Sequence, residues 1–171
     1  METTTLSGTL VRLRAATQDD VPRLAEIRSM PEVYTRWRGD GDLVDAVADE
    51  MAVDDVEVLV VEYEERVVGA IQWGEEDDPE YRHANIDVYL DPAVHGRGVG
   101  ADAVRTLARH LIDDHGHHRL VIDPAADNEA AIRCYAKVGF RPVGIMRRYE
   151  RGADGVWHDG LLMDLLADEL S

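Results

Sequence analysis

The most constraining feature of this sequence is a strand that runs directly into a glycine-rich loop and then into an amphipathic helix. Residues Ala84–Leu90 alternate apolar and polar side chains, which is typical of a β-strand. The loop His95–Gly100 follows, with the sequence His-Gly-Arg-Gly-Val-Gly. In Ala101–Ile112, apolar residues recur at i, i+3, i+4 and i+7, which predicts a helix. Because Arg119–Asp123 predicts another strand after this helix, the unit should form a parallel crossover.

The rest of the chain predicts short strands and helices around this unit. Further strands are expected at Thr9–Arg14, Val56–Glu62, Arg66–Trp73, Phe140–Tyr149 and Trp157–Leu166. Further helices are expected from the capping box at Thr17 and Asp20 to about Ser29, over Asp42–Met51, and between an Asp127 cap and a stop at Gly139. The predicted fold class is therefore α/β, with a mixed, mostly antiparallel sheet flanked by helices. A length of 171 residues suits one domain, 1–171, with an ordered core over about 9–166.

The charge of the chain restricts the class of partner. There are 18 Lys and Arg residues against 35 Asp and Glu residues, a net charge of −17. Such a charge repels nucleic acids and anionic membranes and attracts cationic molecules, although an acidic surface also serves solubility alone. We therefore expect a small cationic amine as substrate, and neither a nucleic acid nor a membrane as partner.

Other features predict where the protein resides. No apolar run approaches the roughly 20 residues that span a bilayer. The segment Met1–Thr5 lacks the basic start and apolar stretch of a signal peptide, and the single cysteine, Cys134, cannot form an internal disulfide. These features predict a cytoplasmic protein, which we expect to be a monomer or a homodimer.

The glycine loop is a candidate anion site. Gly96, Gly98 and Gly100 allow the backbone N–H groups to turn toward one point, and the helix that follows adds free N–H groups and a positive dipole end. Arg97 adds a positive charge. The spacing matches neither the phosphate loop of nucleotide hydrolases nor the dinucleotide fingerprint. The loop therefore predicts a pyrophosphate site of another type, against the alternative of an ordinary strand–helix turn.

A second motif follows the next strand. Asp123 ends that strand, where a carboxylate can face a cleft, and Tyr135 lies about two turns into the following helix. A phenol with an ordinary pKa of about 10 is protonated at neutral pH and can donate a proton. The alternatives are a turn residue at Asp123 and a packing role for Tyr135.

Together, these two motifs resemble the GNAT superfamily of N-acetyltransferases. The loop His95–Gly100 is similar to the family's acetyl-CoA loop, with His95 where Gln or Arg is usual, and Asn128–Phe140 is similar to its second cofactor helix. The resemblance implies acetyl-CoA as acetyl donor without a metal, and a V-shaped split between the fourth and fifth strands, 84–90 and 119–123. It also implies cofactor contacts from Val88, Tyr89, Leu90, His95, Gly96, Arg97, Gly98, Val99, Gly100, Ala101, Asn128, Ala131 and Tyr135.

A narrower resemblance is to the aminoglycoside 6'-N-acetyltransferases of the Ib-like branch. It is carried by Ile86-Asp87, the glycine loop, Asp123-Pro124 and Ala131–Tyr135, with a weaker match in Tyr34–Gly39 that departs at Arg38. It implies an antibiotic-resistance enzyme whose acidic cleft binds an aminoglycoside. The implied substrate-binding residues are Trp37, Trp73, Glu75, Asp87 and Asp123.

Acetyl transfer requires a neutral amine, and amines are mostly protonated at neutral pH, so a base is needed. Asp123 is one candidate, Asp87 is its alternative or partner, and either can instead only orient the amine. Backbone N–H groups near Val88–Leu90 are candidates for stabilising the oxyanion. By resemblance, Tyr135 protonates the departing CoA thiolate.

The acceptor has open alternatives at this point. The chain can be an acetyltransferase of protein N-termini or small polyamines, or, in another class, a non-catalytic acyl-CoA-binding sensor. Two further features predict structure rather than chemistry. His115, His117 and His118 look like loop and helix-end residues because they lack a regular i, i+4 metal pair. Cys134 is expected to pack as a small buried side chain.

Overall fold

The computed structural model describes residues 5–37, 39 and 41–171. Within these residues the sheet has eight strands in the order β1-β2-β3-β4-β5-β6-β8-β7. The strands are β1 Thr5–Ser7, β2 Val11–Ala15, β3 Val56–Tyr63, β4 Arg66–Glu76, β5 His83–Leu90, β6 Arg119–Ile122, β7 Arg141–Arg151 and β8 Trp157–Leu166. The helices are α1 Val21–Ser29, α2 Pro31–Tyr34, α3 Leu43–Met51, α4 Val99–Asp113 and α5 Glu129–Val138. Met1–Thr4 and Arg38, which enter the sequence predictions, lie outside the described residues.

The sheet is mixed, as predicted, and opens at its parallel pair. Every neighbouring pair of strands is antiparallel except β5 and β6. The ladder between these two strands consists of Ala84 opposite Leu120 and Asn85 opposite Val121. Because β5 continues to Leu90, its edge from Ile86 onward faces an opening. This is the expected V-shaped split, which lies between the fifth and sixth strands because β1 was not predicted.

The core forms one layer on each face of the sheet. On one face, α4 and α5 pack on the sheet through a cluster that includes Leu107, Ile86 and Tyr135. On the other face, α1 and α3 pack through a smaller cluster that includes Leu24 and Val47. Successive side chains of a strand point to opposite faces of the sheet, so the position of a residue along its strand determines which of the two clusters it joins.

One local prediction is corrected by the structure, and two short elements are added. The cap of α5 is Asn128, whose side-chain oxygen accepts a hydrogen bond from the Ala131 N–H at 3.3 Å. Asp127, the expected cap, instead forms an ion pair with Arg36 at 2.7 Å. The short elements β1 and α2 were not predicted, since three or four residues carry too little periodicity to be recognised. The capping box at Thr17 and Asp20 and the stop of α5 at Gly139 are confirmed.

A buried carboxylate fixes the start of α4 to the N-terminal hairpin. Asp102 is 5% exposed and accepts backbone hydrogen bonds from Thr9 at 3.2 Å, Leu10 at 2.8 Å and Val11 at 3.0 Å. These bonds hold the first turn of α4 against the turn between β1 and β2. In the part of the chain that the structure describes, no helix is long and apolar enough to cross a membrane.

Candidate active site

The glycine loop lies exposed at the start of α4. Gly96 and Gly98 have φ angles of 78° and 81°, in the left-handed region that favours glycine. The first backbone bond of α4 runs from the Asp102 N–H to the Gly98 carbonyl at 3.1 Å. The N–H groups of the three residues before Asp102 are therefore outside the helical ladder, as in helix termini that bind anions. This arrangement fits a pyrophosphate.

A glycine pair tests whether the loop binds the donor through its backbone. Gly96 and Gly116 have similar φ angles of 78° and 71°, and an added Cβ would meet no atom within 4 Å at either position. Alanine should cost both positions about 1–2 kcal/mol of stability, because both require the left-handed region. We expect only Gly96→Ala to raise KM for acetyl-CoA, measured by thiol release. An equal rise in KM in Gly116→Ala would show that the effect is general destabilisation.

The second cofactor element, α5, packs closely on the loop. An ideal Cβ at Gly100 would lie 3.3 Å from the Cys134 Sγ and 3.4 Å from the Leu90 Cδ1, so α4 approaches α5 and β5 closely at this glycine. Burial raises the pKa of the Cys134 thiol, which makes it a poor nucleophile. The predicted packing role of Cys134 is consistent with these contacts.

Tyr135 lies on α5 with its ring buried against Phe140, at a centroid distance of 6.4 Å. Burial raises the pKa of Tyr135, and the negative charges of Cys134, Asp87 and Asp123 raise it further. The phenol is thus held protonated at neutral pH. Asp87 and Asp123 are thus both near enough to act electrostatically on this phenol.

Asp87 projects from β5 on the face of α1 and α3. Its neighbours Ile86 and Val88 pack on the opposite face, and Tyr89, two residues on, belongs to the α1–α3 cluster. Burial raises the pKa of Asp87 to about 7, and the nearby charges of Asp123, Glu150 and Glu50 contribute to that rise. A carboxyl group with this pKa can take up a proton near neutral pH.

Asp123 directly follows β6 and faces the same opening. Burial raises its pKa, whereas a hydrogen bond from the Tyr149 hydroxyl lowers it. The same contact raises the pKa of Tyr149 to about 12, so Tyr149 remains a donor. The two aspartates therefore lie in different environments, because only Asp123 has a hydroxyl that stabilises its charged form.

A β-bulge brings Tyr149 to Asp123. The register between β7 and β8 shifts between Met146 and Glu150, and Arg148 has a φ angle of 47°. An ideal Cβ at Gly160 on β8 would lie 3.1 Å from the Tyr149 ring, so this glycine leaves room for the ring to cross β8 toward β6. The sequence did not indicate Tyr149, because the bulge occurs without a glycine at its strained residue.

Two more carboxylates act on Asp87, and the sequence did not indicate them. Glu150 follows Tyr149 on β7, and Glu50 lies on α3; both charges act on Asp87. Glu50 is held by Arg28, whose Nη1 lies 2.9 Å from its Oε2, and Trp37 lies beside this pair. Arg28 is fully buried and also lies 5.8 Å from the centroid of the Tyr89 ring. The predicted residue Trp37 thus belongs to the Asp87 side, where its ring meets Tyr89 edge to face at 4.9 Å.

The structure does not bring Trp73 and Glu75 to this side. Trp73 lies opposite Ile86 in the register of β4 and β5 and belongs to the cluster under α4. Glu75, two residues on, accepts a hydrogen bond from His117 Nε2 at 2.8 Å. The expected cleft wall of Trp73 and Glu75 is therefore corrected, because the strand register places both on the face away from Asp87.

The placement of Glu75 away from the acceptor site can be tested directly. Glu75→Ala removes the partner of the buried His117 and should lower the free energy of unfolding by about 1–2 kcal/mol. It should leave KM for the acceptor unchanged. Urea unfolding and steady-state kinetics measure the two effects, with the exposed Glu57→Ala as control. A large rise in acceptor KM with unchanged stability would instead show that Glu75 contacts the acceptor.

Comparison with known proteins assigns the family. A family model described as an acetyltransferase (GNAT) domain matches residues 11–141. This match covers most of the chain and includes β2 through α5, with the glycine loop, Asp87, Asp123 and Tyr135. The chain belongs to the GNAT acetyltransferase domain family.

Two curated relatives and one solved structure are particularly informative. N-alpha-acetyltransferase RimI of Mycobacterium tuberculosis is 38% identical over 78 residues, which is 44% of this chain and 47% of that protein. Aminoglycoside N(6')-acetyltransferase type 1 of Klebsiella pneumoniae is 41% identical over 73 residues, which is 42% of this chain and 35% of that protein. The chain thus covers less than half the length of either relative.

The solved structure is Mycobacterium smegmatis RimJ in complex with CoA-disulfide. It superposes with a TM-score of 0.83 at 22% identity, covering 98% of this chain and 88% of that one. At this identity the likeness concerns the fold alone.

Proposed function

We propose that this protein is an acetyl-CoA-dependent aminoglycoside 6'-N-acetyltransferase, which would make it an antibiotic-resistance enzyme. The observation that carries the proposal is that four carboxyl groups from separate parts of the fold act on one another beside the split, one of which, Glu50, is also paired with Arg28. They are Glu50 on α3, Asp87 on β5, Asp123 after β6 and Glu150 on β7. A rigid polycation with several ammonium groups matches such a surface, because facing carboxylates offset the cost of removing its water.

The donor fits the remaining features of the split. The N–H groups of the glycine loop and of the first turn of α4 would hold the pyrophosphate of acetyl-CoA. The open edge of β5, from Ile86 to Leu90, offers backbone groups to the pantetheine arm. Bound acetyl-CoA supplies a thioester whose acetyl group is transferred to the amine. Backbone N–H groups of Val88–Leu90 on that open edge would stabilise negative charge on the acetyl oxygen.

Asp87 and Asp123 have different roles toward the amine. Asp87, with a pKa of about 7, takes the proton that the ammonium must lose before it attacks. Asp123, whose pKa is raised by burial but lowered by the hydrogen bond from Tyr149, orients the amine. In enzymes, two neighbouring carboxyl groups in different environments can act as base and as stabiliser of charge. Tyr135, held protonated, donates a proton to the departing thiolate.

An acetyltransferase of protein N-termini is the second candidate. The similarity to N-alpha-acetyltransferase RimI favours it, at 38% identity over 78 residues. A peptide N-terminus offers one ammonium group, however, and matches fewer of the negative charges that act on Asp87. The number of carboxylates around the opening therefore favours a polyamine-like acceptor, and an aminoglycoside combines several amines with a rigid frame.

A matched pair of antibiotics tests the regiochemistry. Neomycin and paromomycin differ only at the 6' position, which carries an amine in neomycin and a hydroxyl in paromomycin. We expect thiol release from acetyl-CoA with neomycin and a mono-acetylated product by mass spectrometry. Paromomycin should bind and compete without being turned over. Equal turnover of both compounds would exclude the 6' amine as the acceptor.

A further inference from the structure

A histidine pair lies at the C-terminal end of α4, outside the candidate active site. His110 is in the last turn of the helix, and Gly116 reverses the chain with a φ angle of 71°. The last turn of the helix closes with a hydrogen bond from the His115 N–H to the His110 carbonyl at 3.3 Å, and the two Nε2 atoms lie 3.2 Å apart. The rings meet edge to face, with centroids 4.8 Å apart and an interplanar angle of 84°.

Both rings are held by neighbouring side chains. The Nδ1 of His110 lies 2.6 Å from the Asp114 Oδ2, so this nitrogen donates to the carboxylate and the Nε2 keeps its lone pair. A carboxylate behind a histidine is the common outer partner of a metal-binding imidazole. The ring of His115 rests against Trp73 at 4.8 Å, which restricts its orientation. The geometry thus points the two Nε2 atoms toward each other.

We propose that His110 and His115 bind one divalent transition-metal ion, Zn²⁺ in particular, through their Nε2 atoms. Two imidazole nitrogens at about 2.0–2.1 Å from a tetrahedral zinc lie about 3.3 Å apart, close to the separation seen here. Imidazole ligands suit zinc, copper and nickel. Binding requires His115 to carry its proton on Nδ1, a tautomer change with no net loss of a proton.

The site has open coordination positions. Among residues 5–37, 39 and 41–171, no group of three or more His, Cys, Asp or Glu side chains is arranged around one metal position. Water would therefore complete the coordination. The ion would lie at the far end of α4 from the glycine loop, a helix of 15 residues and so about 20 Å away. It would link the helix end to the segment that leads into β6, and acetyl transfer would not depend on it.

The test uses protein without a histidine tag, stripped with EDTA and then dialysed. We expect isothermal titration with ZnCl₂, and separately with NiCl₂, to show one equivalent of binding and thermal scans to show a raised Tm. His115→Asn, at an exposed position, should abolish both effects, while the neighbouring exposed His118→Asn should keep them. Asp114→Asn should weaken binding about 10-fold or more, since it removes the partner that orients His110.

Three results would overturn the proposed metal site. Absence of binding by the wild-type protein would overturn the proposal, as would binding that persists unchanged in His115→Asn. Loss of binding in His118→Asn would place the ion elsewhere and would also overturn it. Far-ultraviolet circular dichroism of each variant shows whether it is folded, and acetyl transfer by the EDTA-treated wild type should equal that of the untreated protein.

Discussion

Asp87→Asn should nearly abolish acetyl transfer and at the same time stabilise the protein. Loss of a positioned base typically costs about 10²–10⁴-fold in rate, and we expect kcat/KM for an aminoglycoside to fall within that range. In the wild type, kcat/KM should rise as the pH increases toward about 7, where Asp87 ionises. This rise should be absent from the residual activity of the variant. Initial rates of thiol release between pH 5.5 and 8.5 measure both effects.

The gain in stability follows from the direction of the Asp87 pKa. The pKa is raised in the folded protein, from 3.8 to about 7, so between these values the folded state binds a proton that the unfolded chain does not. Stability therefore falls as the pH rises through this window, and ionised Asp87 is destabilising above pH 7. Asparagine removes that cost, and we expect Tm at pH 8 to rise by about 2–4 °C, the shift for 1 kcal/mol in a chain of this size.

The control for this experiment is Asp78→Asn, which removes one negative charge from the exposed loop after β4. It should change neither kcat/KM nor the pH profile by more than about twofold, since exposed charges outside the cleft are screened. A fall in activity without the gain in stability at pH 8 would contradict the assignment of a raised pKa to Asp87. Full activity of Asp87→Asn would contradict its role as a base.

Tyr135→Phe should reduce kcat by about 10²-fold while leaving the protein folded. The substitution removes only the hydroxyl, and the ring that packs against Phe140 is retained. If the phenol protonates the departing thiolate, its loss affects the chemical step, so KM for acetyl-CoA should change much less than kcat. Steady-state kinetics with acetyl-CoA as the varied substrate separate the two constants.

Tyr63→Phe provides the matched control, because Tyr63 on β3 also packs on the α4–α5 cluster and lies away from the split. Its kcat should remain that of the wild type. An unchanged kcat in Tyr135→Phe would mean that another donor, or water, protonates the thiolate. A rise in KM alone would make Tyr135 a binding residue.

The strand–loop–helix unit could be predicted from the sequence because its signals are local. The alternation in β5, the glycines of the loop and the spacing of apolar residues in α4 each depend on a few neighbouring residues. These signals also determined the order of the major elements and the position of the split. The position of Asp123 after β6 and of Tyr135 within α5 followed from the same local patterns.

The residues that the sequence missed depend on long-range geometry. Trp73 and Asp87 lie on opposite faces because of the register between β4 and β5, which the intervening loop sets and no local pattern reveals. Tyr149 reaches Asp123 through a bulge in which Arg148 has a left-handed backbone conformation. Arginine rarely adopts this conformation, so the sequence carried no signal of the bulge. Glu50 lies near Asp87 because of how α3 docks on the sheet.

The central claim is that this family member acetylates an aminoglycoside amine, and one assay tests it directly. Thiol release from acetyl-CoA should be measured with kanamycin, tobramycin and gentamicin, with spermidine and related polyamines, and with peptides that have free N-termini. We predict turnover of aminoglycosides with kcat/KM far above that for the other two classes, and loss of that turnover in Asp87→Asn. Activity confined to peptides would contradict the proposed acceptor, and the absence of thiol release with every acceptor would contradict the proposed enzymatic activity.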